Sequence, residues 1–146
     1  MDEALALLRW PDGRIGQFVQ NRIASKAPTA LIISPWRDVA ASSEFRLFYK
    51  GGRMVGASQY HHSRVYPDMV SRKQELAAAI FVIAPQIGQA LHMPDVVVDI
   101  ELIPQARGAL TMTLIELNPY LSITDPCLFS WASGGNFDGT LRVRHS

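Results

Sequence analysis

The chain has 146 residues, of which 48% are hydrophobic and 18% charged, and its formal net charge is +1. This length and composition predict a single domain, residues 1–146, with ample apolar material for a core. Lysine and arginine are scattered along the chain, so nucleic-acid binding is not indicated. The one cysteine, Cys127, excludes an internal disulfide and a Cys-based zinc site. A reducing, cytoplasmic setting fits this cysteine content best.

The N-terminal sequence gives no indication of membrane targeting. The first ten residues, MDEALALLRW, are acidic where a signal peptide is basic, and their apolar run is short. No stretch of the chain reaches about 18 uninterrupted apolar residues, so we predict no membrane-spanning segment.

The N-terminal quarter is predicted to hold two helices and a strand. The first helix is expected over 2–9, and Asp12 is placed to cap a second helix over 13–24. The β-branched residues of ALIISPW predict a strand over 30–36. Trp36, at the end of that strand, either packs in the core, as tryptophans usually do, or forms a platform for a flat ring.

Residues 44–60 predict a β-hairpin, because EFRLFY and MVGASQY flank a turn that contains Gly51 and Gly52. Arg46 in the first strand has two possible roles. It is either a solvated residue paired with Glu44, which spacing alone favours, or a phosphate ligand. One face of the strand is predicted to hold Phe45, Leu47 and Tyr49, and the other Glu44, Arg46 and Phe48.

His61 and His62 follow the hairpin directly. Neighbouring residues of a strand point to opposite faces, so the two side chains cannot easily bind one metal ion. We interpret them as residues of a strand end or loop.

The longest helix is predicted over 69–92, with Ser71 as its N-cap and a kink or break at Pro85. After a turn, VVVDIEL predicts a strand over 96–102. The core-facing stripe of the helix is expected to be Leu76, Ile80, Ile83 and Ile87.

The strand over 96–102 and the stretch LTMTLIELNP, which begins at residue 110, predict a second hairpin. Asp99 is expected on the strand face opposite Ile100. For Asp99 to share a face with Glu116, the two residues must pair across the hairpin, which requires a loop of roughly eight residues. Strand alternation puts Met112, Leu114, Glu116 and Asn118 on one face.

Glu116 and Asn118 end that row just before Pro119 stops the strand. A carboxylate and an amide oxygen on a rigid strand end provide the hard-oxygen ligands that Mg²⁺ favours. The alternative is a strand entering solvent, and spacing alone favours it because E-x-N is a weak motif.

The C-terminal part is predicted to begin with a short helix after Thr124, with Asp125 as N-cap and Pro126 just inside. Leu128, Phe129 and Trp131 would bury that helix. Residues 133–136, SGGN, are expected to form a loop, and 140–144 a final edge strand.

Four segments carry longer motifs: EFRLFYKGGRMVGASQY, VYPDMVSRKQEL, VVVDIELIP and IELNPYLSITDPCLFSW. They resemble, in the same order, motifs of the cell division cycle protein 123 family. Those motifs are E-F-R-C-F-V with G-I-S-Q, Y-Y-x-x-I-S-K-Q-K-E, F-V-F-D-I-Y, and I-D-F-N-P-F with a T-D and L-F-x-W. The match covers most of the chain.

The resemblance implies an α+β fold with an ATP-grasp-like antiparallel sheet, flanking helices, and ATP and Mg²⁺ as cofactors. Arg46 matches the arginine expected near the nucleotide phosphates. Asp99, Glu116 and Asn118 match the Mg²⁺–ATP ligands, with Glu116 standing where the family has aspartate. Trp36 falls at the hinge strand expected to meet adenine.

Two departures from the family pattern are visible in the sequence. Ser58-Gln59-Tyr60-His61-His62 stands where the family has S-Q-R-D-Y, so an arginine and an aspartate are lost. The N-terminal lobe, which supplies a lysine to the phosphates, has no counterpart. The chain therefore resembles the central and C-terminal part of an ATP-grasp domain, with its N-terminal lobe apparently missing.

The resemblance leaves three functions open. Family members are assembly chaperones for the translation initiation factor 2 complex and bind its gamma subunit, which implies protein binding tuned by nucleotide. A carboxylate–amine ligase or kinase would instead use Mg²⁺ and Arg46 to stabilise a transferring phosphoryl group. A reduced remnant would keep the packing and bind no nucleotide.

Overall fold

The computed structural model describes residues 13–26, 28, 35–105 and 110–146. The chain divides into two compact units, Met1–Arg37 and Asp38–Ser146, which we describe separately. The first unit contains helix α1, Gly13–Ala24, as predicted. The predicted helix over 2–9 and residues 30–34 of the predicted strand lie outside the described residues. Trp36 is not part of a strand, and it is 89% exposed, so it is not packed in a core.

The second unit is built on one five-stranded sheet. Its strand order is β4-β3-β1-β2-β5, and every neighbouring pair is antiparallel except β2 and β5, which are parallel. The α+β class is confirmed, and the last strand makes the expected antiparallel sheet a mixed one. The strands are β1 Glu44–Lys50, β2 Arg53–Gln59, β3 Val96–Pro104, β4 Leu110–Pro119 and β5 Leu141–Arg142.

Both predicted hairpins are present. The turn between β1 and β2 is made by Gly51 and Gly52, whose φ angles of 58° and 74° lie in the left-handed region that glycine enters most readily. The central pairing of β1 with β3 sets Arg46 directly opposite Asp99. This pairing joins the two hairpins and positions the site described below.

Two helices stand where one was predicted: α2, Pro67–Ser71, and α3, Lys73–Leu91. The prediction that Ser71 caps the long helix is wrong, because its hydroxyl donates to the carbonyl of Asp68 and α3 starts after Arg72 without a side-chain cap. Pro85 lies inside α3 without ending it, and its side chain faces solvent. Proline has no N–H to donate, so one backbone hydrogen bond of α3 is missing at this position. The helix nevertheless continues through Pro85 over its full 19 residues. No helix in the described parts of the chain is long and apolar enough to cross a membrane.

The two faces of the sheet bury different chemistry. Helix α3 covers one face and forms the main core with Phe45, Leu47 and Tyr49, as the alternation in β1 predicted. Ile80 of α3 and Ile100 of β3 are fully buried there. The opposite face carries Arg46, Asp99 and a cluster of aromatic side chains, namely Phe48, Tyr120, Phe129, Trp131 and Phe137.

Candidate functional site

A β-bulge in β4 positions the acidic residues of the site. Asp99 pairs with Glu116, but the next residue of β3, Ile100, pairs with Leu114, so Ile115 is an extra residue in β4. Because of the extra residue, side chains at even-numbered positions of β4 lie on opposite faces of the sheet before and after the bulge. Leu114 lines a groove of the α3 side of the sheet, whereas Glu116 lies on the face of Asp99.

Two sequence predictions are corrected by this bulge. Met112 and Leu114 do not share a face with Glu116 and Asn118, because alternation is interrupted at Ile115. The long loop is also unnecessary, since β3 ends at residue 104 and β4 begins at residue 110. The extra residue in the strand, and not a longer loop, brings Glu116 opposite Asp99.

Arg46 and Asp99 form a buried, two-pronged ion pair. The Nε and Nη2 atoms of Arg46 each donate to one carboxylate oxygen of Asp99 at 2.8 Å. The Asp99 side chain has no solvent exposure, and Arg46 is 4% exposed. Arg46 also donates through Nη1 to the carbonyl of Asp125 at 2.9 Å, and its guanidinium lies 4.7 Å from the centre of the Tyr60 ring. These contacts fix the guanidinium plane and, through it, the Asp99 carboxylate.

The alternative in which Arg46 is a solvated partner of Glu44 is wrong. The carboxylate of Glu44 lies 3.0 Å from the Nε2 atom of His61, while Arg46 is buried with Asp99. Glu44 nonetheless adds negative charge to the same side of the sheet.

Asn118 bridges the two acids of the site. Its Nδ2 atom donates to Asp99 Oδ2 and to Glu116 Oε1, each at 2.9 Å. Two carboxylates from neighbouring strands therefore converge on one donor. The Glu116 side chain is 54% exposed, so the bridged point is open to solvent on the Glu116 side and closed by Asp99 beneath.

Burial and charge crowding act on the titration of Asp99. Burial raises the pKa of the Asp99 carboxyl to about 6, the neighbouring Glu116 carboxyl adds to this rise, and Arg46 opposes it. For Arg46, burial lowers the pKa, but the hydrogen bonds and charge of Asp99 outweigh burial and raise it. Arg46 therefore stays positively charged. It balances one of the two carboxylates, Asp99 and Glu116, so the site keeps a net charge of about −1.

The segment after β4 covers this site in an irregular conformation, and the predicted helix after Thr124 is wrong. Asp125 does accept the backbone N–H of Cys127 at 2.8 Å, as a capping residue would. However, Cys127 has a φ of 53°, in the left-handed region, which ends the helical path at once. Trp131 then donates to the carbonyl of Thr124 at 2.6 Å and holds the segment in place.

The aromatic cluster anchors that segment to the sheet. Phe48 of β1 contacts the rings of Phe129, Trp131 and Phe137 at centroid distances of 5.5, 6.0 and 4.7 Å. Gly56 of β2 lies under the Phe129 ring, where an added Cβ would come within 2.7 Å of Cζ. Sequence reasoning missed this cluster because its members come from distant segments that no local periodicity connects.

The predicted site residues are thus only partly brought together. Asp99, Glu116, Asn118 and Arg46 form one connected group on the face of the sheet opposite α3. Trp36 belongs to the first unit, Met1–Arg37, so its role toward adenine stays a prediction.

The fold is that of an α+β domain that is also found in solved structures of Cdc123. The structure of Cdc123 from Schizosaccharomyces pombe matches 66% of this chain and 36% of that chain, with 26% identity and a TM-score of 0.53. The structure of C-terminally truncated Cdc123 from the same organism matches 74% of this chain and 42% of that chain, with 27% identity and a TM-score of 0.59.

The chain belongs to the D123 family, whose sequence model matches residues 15–133. It is 33% identical over 101 residues to cell division cycle protein 123 of Eremothecium gossypii, covering 69% of this chain and 28% of that protein. It is 28% identical over 102 residues to the translation initiation factor eIF2 assembly protein of Xenopus tropicalis, covering 69% of this chain and 29% of that protein. The family expected from the four motifs is confirmed, and the chain spans less than a third of these relatives' length.

Proposed function

We propose that this chain binds Mg²⁺ together with ATP at the group formed by Asp99, Glu116 and Asn118, as an ATP-grasp-type domain. The observation that carries the proposal is the convergence of two carboxylates on the Asn118 amide. A donor NH₂ group with two acid oxygens at 2.9 Å occupies a point that a cation would favour. Rotation of the amide by half a turn would replace this donor by an oxygen ligand.

The donor set fits magnesium by its chemistry. Two carboxylates and an amide provide oxygen ligands only, and Mg²⁺ in proteins is typically held by one or two carboxylates plus substrate phosphates. Arg46 neutralises one of the two carboxylates, so Asp99, Glu116 and Arg46 together carry a single negative charge. So small a charge favours a metal ion that arrives with the phosphates over a tightly held free ion.

Within this proposal Arg46 has a positioning role beside its electrostatic one. Its forked contact with Asp99 orients that carboxylate beneath the open point, and its contact with the Asp125 carbonyl ties the covering segment to the sheet. Its positive charge also reduces the repulsion between the carboxylates of the site and a phosphate group, as expected from the EFR motif. Bound Mg²⁺ would neutralise phosphate charge, and the chain's own residues would orient it.

The role of such binding is protein assembly in this proposal. The matched relatives from Xenopus tropicalis and Candida albicans are named translation initiation factor eIF2 assembly proteins. We propose that this chain likewise engages a protein partner, a counterpart of the gamma subunit of translation initiation factor 2, in a manner tuned by nucleotide. The names of these relatives favour assembly over the ligase or kinase alternative.

The test of the proposed site is titration with ATP by isothermal calorimetry, with and without Mg²⁺. We expect binding that requires both. Asn118→Ala and Glu116→Gln should each weaken it by about tenfold or more, because the first removes an oxygen ligand and the second removes the negative charge of one. Glu75→Gln removes an equivalent exposed carboxylate from α3 and serves as the matched control.

Two outcomes of this titration would contradict the proposal. If the parent chain binds no Mg²⁺–ATP at millimolar concentration while remaining folded, the reduced-remnant alternative is correct. Equal weakening by Glu75→Gln would show that general surface charge, and not this site, attracts the nucleotide.

A further inference from the structure

A second group of ligand-type side chains lies beside the first, in the two turns that follow β2 and Thr124. His62, Asp125 and Cys127 each offer a ligand atom, and these atoms all lie within 4.8 Å of one another. This is the one such group of three among the described residues, 13–26, 28, 35–105 and 110–146. Nothing in the proposed magnesium site uses these three side chains.

One backbone carbonyl, that of Tyr60, lies next to both His62 and Cys127. The Tyr60 carbonyl receives the backbone N–H of His62 at 2.7 Å, lies 3.1 Å from its ring Nδ1 atom, and lies 3.7 Å from the sulfur of Cys127. The hydroxyl of Ser58 accepts the backbone N–H of Leu128 at 3.2 Å, which joins the turn after Thr124 to β2.

The Asp125 carboxylate is oriented by the same turn. Its Oδ1 atom accepts the N–H of Cys127 at 2.8 Å, so the carboxylate is fixed next to the thiol while retaining a second oxygen. The left-handed backbone of Cys127, with φ of 53°, folds this residue back over Asp125. The Asp125 carbonyl is held in turn by Arg46.

We propose that His62, Asp125 and Cys127 form a binding site for a transition-metal dication of the zinc type. An imidazole, a thiolate and a carboxylate are the ligands that Zn²⁺ takes, whereas Mg²⁺ avoids sulfur. This mixed donor set differs from the sites built on several cysteines that a chain with one cysteine excludes. Three protein ligands leave the fourth tetrahedral position for water or another oxygen ligand.

Geometry and charge are both compatible with this site. Zinc–ligand distances of about 2.0–2.3 Å put tetrahedral ligand atoms roughly 3.5 Å apart, so the three side chains would close by about 1 Å. Asp125 is exposed and His62 and Cys127 are half-buried, so rotamer changes in the turns can supply this movement. The positive charge of nearby Arg46 is already balanced by Asp99.

Metal binding here replaces the thiol proton by the metal. The Cys127 S–H bond is broken, the proton passes to buffer, and the sulfur keeps the electron pair that binds Zn²⁺. Zinc binding should therefore release about one proton near neutral pH.

The test is titration of the chain with Zn²⁺, and with Co²⁺ as a spectroscopic probe, in the absence of ATP. We expect one ion per chain and a thiolate-to-cobalt charge-transfer band. Cys127→Ser and His62→Asn should each weaken binding by about tenfold or more. His61→Asn is the matched control, because His61 is the adjacent histidine and contacts Glu44 instead. Millimolar Mg²⁺ should leave the bound zinc in place.

Several results would overturn the proposal. These are the absence of the cobalt band, binding unchanged by Cys127→Ser, loss of affinity in His61→Asn equal to that in His62→Asn, and displacement of zinc by Mg²⁺. A second measurement avoids the cysteine variant, which could fail to fold. Alkylation of the parent's single thiol should slow at least about tenfold with one equivalent of Zn²⁺, and unchanged alkylation would contradict the site.

Discussion

Replacement of Arg46 by methionine tests whether the buried ion pair organises the site. The substitution keeps an unbranched apolar stem and removes the guanidinium, and with it two contacts to Asp99 and one to the Asp125 carbonyl. Because Asp99 has no solvent exposure, its carboxylate would be left buried without a positively charged partner and would keep only the hydrogen bond from the Asn118 amide. Breaking a buried pair in this way costs about 3–5 kcal/mol of unfolding free energy, a large share of the total of a small domain.

The chain offers a matched control for this substitution. Arg72 and Glu75 also form a two-pronged pair, with a shortest distance of 2.8 Å, but their side chains are 38% and 47% exposed. We expect Arg72→Met to change stability far less, since exposed pairs are screened by water. Urea unfolding at pH 7.5 followed by circular dichroism provides the comparison.

The double variant Arg46→Met/Asp99→Leu separates charge burial from packing. Removing both charges should restore much of the stability lost in Arg46→Met, because no unpaired carboxylate remains. Equal losses in Arg46→Met and Arg72→Met would refute the reasoning. So would a double variant as unstable as Arg46→Met alone.

Two further predictions concern the same face of the sheet. The raised pKa of Asp99, about 6 in the folded chain against about 4 when unfolded, means that the native state holds the extra proton between these values. Stability from this group should therefore fall by at most about 3 kcal/mol as pH rises from 4 to 6. Asp99→Asn should flatten that part of the pH profile, and an unchanged profile would contradict the assignment. Gly56→Ala should cost about 1–3 kcal/mol, because its Cβ would meet Phe129 at 2.7 Å, whereas Gly16→Ala in α1, with open space around it, should not destabilise the chain.

The sheet was predictable because strand alternation is a local signal. Phe45, Leu47 and Tyr49 all face the main core as expected, and Asp99 lies on the opposite face of its strand. Glu116 and Asn118 could be predicted as metal ligands only through family resemblance, since two polar residues at a strand end carry little information by themselves.

The features that sequence reasoning missed depend on tertiary contacts. The bulge at Ile115 depends on how β4 pairs with β3, and the residue types of β4 do not predict it. The helix expected after Thr124 had good capping residues, but the left-handed conformation of Cys127 prevents it. The segment that contains Cys127 is held by the hydrogen bond from Arg46 to the Asp125 carbonyl and by the packing of Phe129 on Phe48, and both Arg46 and Phe48 lie in β1.

We propose above that one cation, which binds together with ATP, lies between Asp99, Glu116 and Asn118. Paramagnetic Mn²⁺ in place of Mg²⁺ tests it most directly, through NMR of side-chain amides. We expect Mn²⁺–ATP to broaden the Asn118 amide resonances strongly, and diamagnetic Mg²⁺–ATP to shift them without broadening. An Asn118 amide left sharp while Mn²⁺–ATP is bound would contradict the account.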